Sequence, residues 1–218
     1  MGYSVALFVH ILPQFLPALS VTVRLAVGSS LAAAVAGLGL ALIRVAGWRL
    51  GSSVVSAYVE VLRNTPLLVQ MFFVFFGLPF IGIRISPFAA AWIAIAVQHS
   101  ASFSEIYRAG IGSVSQRNRE SARALGLGYW KSLRLVVLPL AIVKVLPALT
   151  NEVIQIIKDT SVASTIALGE LTLQAGAIEE QTAATSVVFV AVACYYLVLT
   201  GVVNVGARYL EQRLRYVE

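Results

Sequence analysis

Charge is scarce in this sequence. Asp, Glu, Lys and Arg make up 12% of 218 residues, too few to coat a water-soluble domain of that size, so the soluble globular class is excluded at the outset. Cysteine is nearly absent. Cys194 stands alone inside an apolar run, which rules out an internal disulfide and offers no metal-binding spacing; it reads as a small core or lipid-facing side chain. The two histidines, His10 and His99, are too far apart to suggest a ligand pair. There is no Ser/His/Asp set, no HExxH and no pair of carboxylates at acid–base spacing, which removes the usual layouts of a membrane enzyme. A Gly-x-x-x-x-Gly-Lys-Ser/Thr loop is also missing, so the chain does not hold nucleotide phosphates in that manner. Basic residues are absent before Arg24. The apolar N-terminus is therefore a poor secretory signal and is expected to be retained.

What is present is apolar. Hydrophobic residues are 59% of the chain and the mean hydropathy is +0.86, which points to an all-α membrane protein. The pattern predicts about five transmembrane helices, near residues 20–43, 66–83, 87–106, 135–157 and 186–207. The first carries Gly28, Ala32 and Ala36 at four-residue spacing, a stripe that lets a second helix come close, and Arg24 near one end, able to snorkel. Residues 44–65 read as an interfacial or amphipathic helix, after which Pro66 suits the first turn of the second span. The aromatic run Phe72–Phe80 reads as packing. In the third span Gln98, Ser102 and Glu105 fall at i, i+4 and i+7 on one face. Such a face either lines a solute path or makes interhelical hydrogen bonds. Lys144 and Glu152 interrupt the fourth span, which therefore does not face lipid all round. Residues 162–182 are less hydrophobic and either dip back toward the membrane or lie flat on it.

The net charge of +6 is not a nucleic-acid signal, because the basic residues lie in short gaps between apolar runs and form no cluster with interleaved aromatics. Of 16 Lys and Arg, twelve fall in the segments 44–65 and 107–134 and in the tail 208–218, Arg215 included. The opposite side offers Arg84 and Lys158 beside Asp159, Glu170, Glu179 and Glu180. The positive-inside rule then places the two segments and the C-terminus in the cytoplasm and, with five spans, the N-terminus outside.

The cytoplasmic segment 107–134 contains Glu120-Ser121-Ala122-Arg123-Ala124-Leu125-Gly126, followed after nine residues by Val136-Val137-Leu138-Pro139. Residues 116–125 have the composition of a short amphipathic helix, and Gly126 and Gly128 suit its end. A short helix held on a cytoplasmic loop is a natural knob for a groove in a partner. This stretch resembles the EAA loop of permease subunits of bacterial ATP-binding-cassette importers: Glu-Ala-Ala, three residues, Gly, nine residues, Ile, any residue, Leu-Pro. Ser121 replaces the middle Ala and Val136 replaces Ile. Residues 59–70, VEVLRNTPLLVQ, resemble the Arg-Gly-Thr-Pro-Leu-Leu-Val-Gln motif of the polar amino-acid branch, with Asn64 in place of Gly. Residues 104–110, SEIYRAG, and 158–161, KDTS, resemble two further motifs of that branch. The likeness runs over roughly residues 15–215.

The resemblance implies a single transmembrane permease domain over 1–218 of the type I importer kind, multi-pass in the bacterial inner membrane and itself non-catalytic. The coupling residues are then Glu120, Ser121, Ala122, Leu125 and Gly126. It implies as partners an ATPase dimer that uses ATP and Mg, a second permease copy (identical or a sister chain), an extracytoplasmic amino-acid-binding protein and the lipid bilayer. No cofactor, metal or nucleic acid is expected on this chain. Gln98, Ser102, Glu105, Lys158 and Asp159 are the residues expected to meet a polar amino acid. The competing reading is a stand-alone secondary transporter or channel for a small polar solute; the lack of an evident inverted repeat weighs against it.

Overall fold

The computed structural model describes residues 2–214, so the expected role of Arg215 lies outside the described residues. The chain opens with α1 (Gly2–Ile11), a 3-10 turn (Leu12–Phe15) and α2 (Leu16–Val45). Pro13 and Pro17 sit in the first turns of the last two, where a missing N–H costs nothing. The first membrane helix therefore starts well before residue 20. Val5–Val45 is long and apolar enough to cross, and Arg24, exposed, folds back on Ser20 with its Nε 3.1 Å from the carbonyl oxygen.

The close-packing stripe of α2 is not the expected one. Ser29, Ala33, Gly37 and Ala41 are buried, one position along from Gly28, Ala32 and Ala36. Small residues are so frequent on α2 that two parallel stripes qualify, and the partner decides between them. That partner is α5 (Pro87–Ser113). A Cβ on Gly37 would lie 2.5 Å from the Phe103 Cβ and 2.8 Å from the Ser100 carbonyl oxygen, whereas one on Gly28 would lie 3.1 Å from the Trp92 indole nitrogen. These contacts rise together along both helices, so α2 and α5 run parallel.

Parallel neighbours need a return stroke between them. It is made by α3 (Arg49–Arg63) and α4 (Leu67–Phe72), continued by a π-helical turn (Phe73–Gly77) and a 3-10 turn (Leu78–Ile81). α3 is amphipathic, as its pattern predicts, and buries Gly51, Val55 and Val59. The two halves meet at a bend of 102°. Pro66 caps the second half with extended backbone instead of sitting within its first turn. Asn64, where the resembled motif has Gly, adopts φ −98° and ψ 2°, a conformation that needs no glycine. Gln70 locks the bend: its side-chain amide donates to Leu62 O at 3.0 Å and Thr65 Oγ1 at 2.8 Å.

After α5 come α6 (Gln116–Ala124), α7 (Tyr129–Ser132), a second π turn (Leu133–Val137) and α8 (Leu138–Asp159). The loop 107–134 is thus largely helical, since α5 runs on to Ser113. α8 is antiparallel to α5. A Cβ on Gly110 would run into the Val145 Cγ1, and Lys144 donates to the Ser113 carbonyl at 2.9 Å. A 3-10 turn (Thr160–Ile166) leads to α9 (Leu171–Thr182), then α10 (Thr185–Leu214). At 12 residues, α9 is too short to cross a bilayer. It buries Leu171, Ala175 and Ile178 against Ile11, Phe15 and Ala18, and against Val188, Ala191 and Val192 of α10.

Among the described residues three stretches are long and apolar enough to cross alone, Val5–Val45, Leu133–Ile166 and Thr185–Leu214, and the bent pair makes a fourth if it is one span. α5, the remaining expected span, has 27 residues but falls outside that set. It is the central helix, and protein covers much of it: Ala90, Ala91, Ala94, Ile95, His99, Ser100, Ala101, Phe103 and Ser104 are all buried. A helix shielded from lipid by its neighbours tolerates polar residues.

Candidate coupling helix and solute path

α6 is closed at both ends. Ser115 caps the start, its hydroxyl accepting from the Asn118 N–H at 3.3 Å, which satisfies one of the free donors there. At the other end Gly126 takes φ +76°. Its N–H donates to Arg123 O at 2.9 Å and the Leu127 N–H to Ala122 O at 3.1 Å, the paired bonds of a left-handed C-cap. Ala122 is buried and ties the helix to the bundle, while Glu120, Ser121, Leu125 and Gly126 are exposed; Leu125 stands 80% exposed at the tip. The loop thus presents a short rigid rod with an open crown. It rests on a small separate cluster of Val114, Val137 and Ala141, and a narrow cleft beside it is lined by Val45 of α2, Ile111 of α5, and Arg123 and Leu133. The ends of α2 and α5, the start of α8 and α6 therefore share one end of the bundle.

The expected path residues do not form one group. The Glu105 carboxylate is taken up by two guanidiniums. Arg44, in the last turn of α2, pairs with one oxygen, and Arg108 donates to the other through Nε at 3.2 Å and a terminal nitrogen at 2.7 Å. This cluster joins α2 to α5 near the α6 end. A cleft of about 390 Å³ beside it, between α5 and α8, is lined by Glu105, Gly110, Ser113 and Lys144. Gln98 and Ser102 are half-buried, and the Gln98 Oε1 is buried with no donor among the described residues. Lys158 is exposed.

Asp159 belongs to a second cluster, deeper in the bundle, which centres on a residue the sequence pattern passed over. His99 of α5 is buried, its Nδ1 lying 2.6 Å from Glu152 Oε1 and its Nε2 3.0 Å from Asp159 Oδ2, both on α8. Gln155 donates to the other Asp159 oxygen at 2.9 Å. A signal for this group was present: three ionisable residues within or beside apolar runs rarely stay unpaired. Their separations of 53 and 60 residues hide the pairing until α5 and α8 are laid antiparallel. No group of three or more His, Cys, Asp or Glu among the described residues is arranged to hold a metal ion.

A two-helix polar seam thus lies inside an apolar bundle, with a capped rod at one end. Residues 35–216 match the family described as "Binding-protein-dependent transport system inner membrane component". The chain belongs to that family. Among relatives of this inner membrane component, the probable glutamine ABC transporter permease protein GlnM of Bacillus subtilis is 37% identical over 83% of each chain. The nopaline transport system permease protein NocM of Agrobacterium fabrum is 39% identical over 92% of this chain and 88% of its own. Among solved structures, a chain in the crystal structure of an amino acid ABC transporter with histidines is 35% identical, with a TM-score of 0.88 over 94% of this chain and 96% of that one. A chain of the MetNI methionine ABC transporter, at 18% identity and a TM-score of 0.76, shares the fold.

Proposed function

We propose that this chain is the path-forming permease subunit of an ATP-driven importer for a polar amino acid. The observation that carries the reading is α6, a helix capped at both ends and crowned by exposed Glu120, Ser121, Leu125 and Gly126. An ATPase dimer that hydrolyses ATP with Mg grips this helix, and the motion passes through α8 to the polar seam. Gln98, Ser102 and Asp159, with Lys158 at the rim, serve the solute, and Glu152 joins them. Glu105, held by Arg44 and Arg108, fastens the α6 end of the path. A second copy, identical or a sister chain, completes the passage, and an extracytoplasmic binding protein delivers the amino acid. The α6 end collects most of the basic residues and therefore faces the cytoplasm. The C-terminus follows it, the N-terminus lies outside, and the location is the bacterial inner membrane.

The test is Gly126→Val. A Cβ at Gly126 meets nothing within 4 Å, so the damage comes from forcing a β-branched residue to positive φ, at about 1–2 kcal/mol or more. The expected outcome in proteoliposomes is continued ATP hydrolysis with uptake reduced at least tenfold and unchanged membrane insertion. Normally coupled uptake would count against the proposal.

A further inference from the structure

We infer that His99 is a positioning residue that fixes the polar seam at a single negative charge by holding Glu152 and Asp159 as one joined unit. This rests on the reading of the chain as a solute path.

The geometry sets the proton count. Both ring nitrogens face carboxylate oxygens, at 2.6 Å and 3.0 Å. A neutral imidazole has one N–H and one bare nitrogen, and an ionised carboxylate only accepts. Two hydrogen bonds to two carboxyl groups therefore require two protons among the three side chains. With both on the ring, an imidazolium lies between two carboxylates. With one on the ring and one on a carboxyl group, a neutral pair lies beside one carboxylate. Both arrangements carry one negative charge, and the shared proton belongs to the trio, not to one member.

None of the nearby cations is bonded to the trio, and the charge counted is that of its three side chains. Arg44 and Arg108 are engaged by Glu105, and Lys144 donates to the Ser113 carbonyl. Gln155, which donates to Asp159, is neutral. Lys158 points to the exposed side.

The exposures assign the roles. The His99 side chain is 4% exposed, against 16% for Glu152 and 20% for Asp159. A passing solute reaches the carboxylates and not the ring, so His99 acts through them. Glu152 and Asp159 lie two turns apart on α8, roughly 10 Å along its axis, and the ring between them is what makes them one site. Without it they become two separate carboxylates with no group between them to share a proton. A single negative charge suits the ammonium group that every amino acid carries. It holds that group firmly enough to admit it and weakly enough to release it, as conduction requires.

The experiment uses the assembled transporter in proteoliposomes with saturating binding protein. H99Q gives the carboxylates one shared amide in place of two ring nitrogens and leaves both charged. Its maximal uptake rate is expected to fall at least tenfold, with the half-saturating amino-acid concentration unchanged within twofold. H99Q/E152Q and H99Q/D159N each restore a single negative charge to the pair, and each is expected to transport at least threefold faster than H99Q while staying below wild type. If H99Q alone fails to insert, insertion and transport by the two double variants still support the inference. Wild-type uptake by H99Q overturns it, as does failure of both double variants to recover. Absence of ATP-dependent uptake by wild type would instead remove the importer reading itself.

Discussion

At Gly37 of α2, the backbone of α5 comes so near that a single methyl group has nowhere to go: Phe103 Cβ and the Ser100 carbonyl already occupy the space. Gly37→Val is expected to destabilise the bundle by about 1–3 kcal/mol or more, read as a lower midpoint of thermal unfolding in detergent. Gly39, where an added Cβ meets nothing within 4 Å, is the control, and Gly39→Ala should not lower the midpoint. Ser115→Ala removes the N-cap of α6 and is expected to cost about 1 kcal/mol locally, visible as faster amide exchange over residues 116–118. At this scale the sequence was readable where chemistry is local. The short helix near 116–125, its glycine terminus and the lipid-averse Lys144 and Glu152 all follow from side chains and their immediate neighbours. The correct stripe on α2 was not readable, because Gly28 and Gly37 look alike until Phe103 and Ser100 are opposite one of them. His99 was missed for the same reason: a histidine shows its carboxylate partners only once two distant helices pack.

Each π-helical turn is centred four residues before a proline: Phe75 before Pro79 and Leu135 before Pro139. A proline ring offers no N–H to the carbonyl four residues back and crowds it, and widening the helix by one bond relieves that crowding. Pro139→Ala supplies the missing donor. The expected outcome is a return of residues 133–139 to α-helix, seen as slower amide exchange there. The bend between α3 and α4 has its own lock in Gln70, and Gln70→Ala is expected to loosen it, measured as a broader distance distribution between spin labels on the two halves. The amphipathic character of 49–63 and the polar face of α5 were legible from spacing. The break-up of 66–83 into three kinds of helix was not, since hydropathy reports how apolar a stretch is and says nothing of which backbone bonds a proline removes. The first helix starts earlier than hydropathy suggests because Pro13 and Pro17 both occupy first turns, where they do not end a helix.

For the whole molecule, the parallel run of α2 and α5 gathers the ends of both helices, the start of α8 and α6 at one pole. A cysteine at Ser121 in a Cys194→Ala background is expected to react with a membrane-impermeant thiol reagent in inside-out vesicles and not in right-side-out spheroplasts, because Ser121 is exposed and the proposed orientation puts the basic segments in the cytoplasm. The opposite pattern would invert the assigned orientation. The membrane class and the antiparallel order of successive spans were evident from composition and charge placement alone. The extent of burial was not: spacing assigned one face of α5 to a path or to interhelical hydrogen bonds, yet its neighbours enclose much of the helix. The double cap on α6 has a consequence of its own. A segment that is already wound and fastened loses little freedom when something closes around it, so an ATPase that clasps α6 does not spend contact energy on folding it first. On the proposed coupling role, the choice of ATPase falls to the exposed Glu120, Ser121 and Leu125, while the helix beneath them stays as it is.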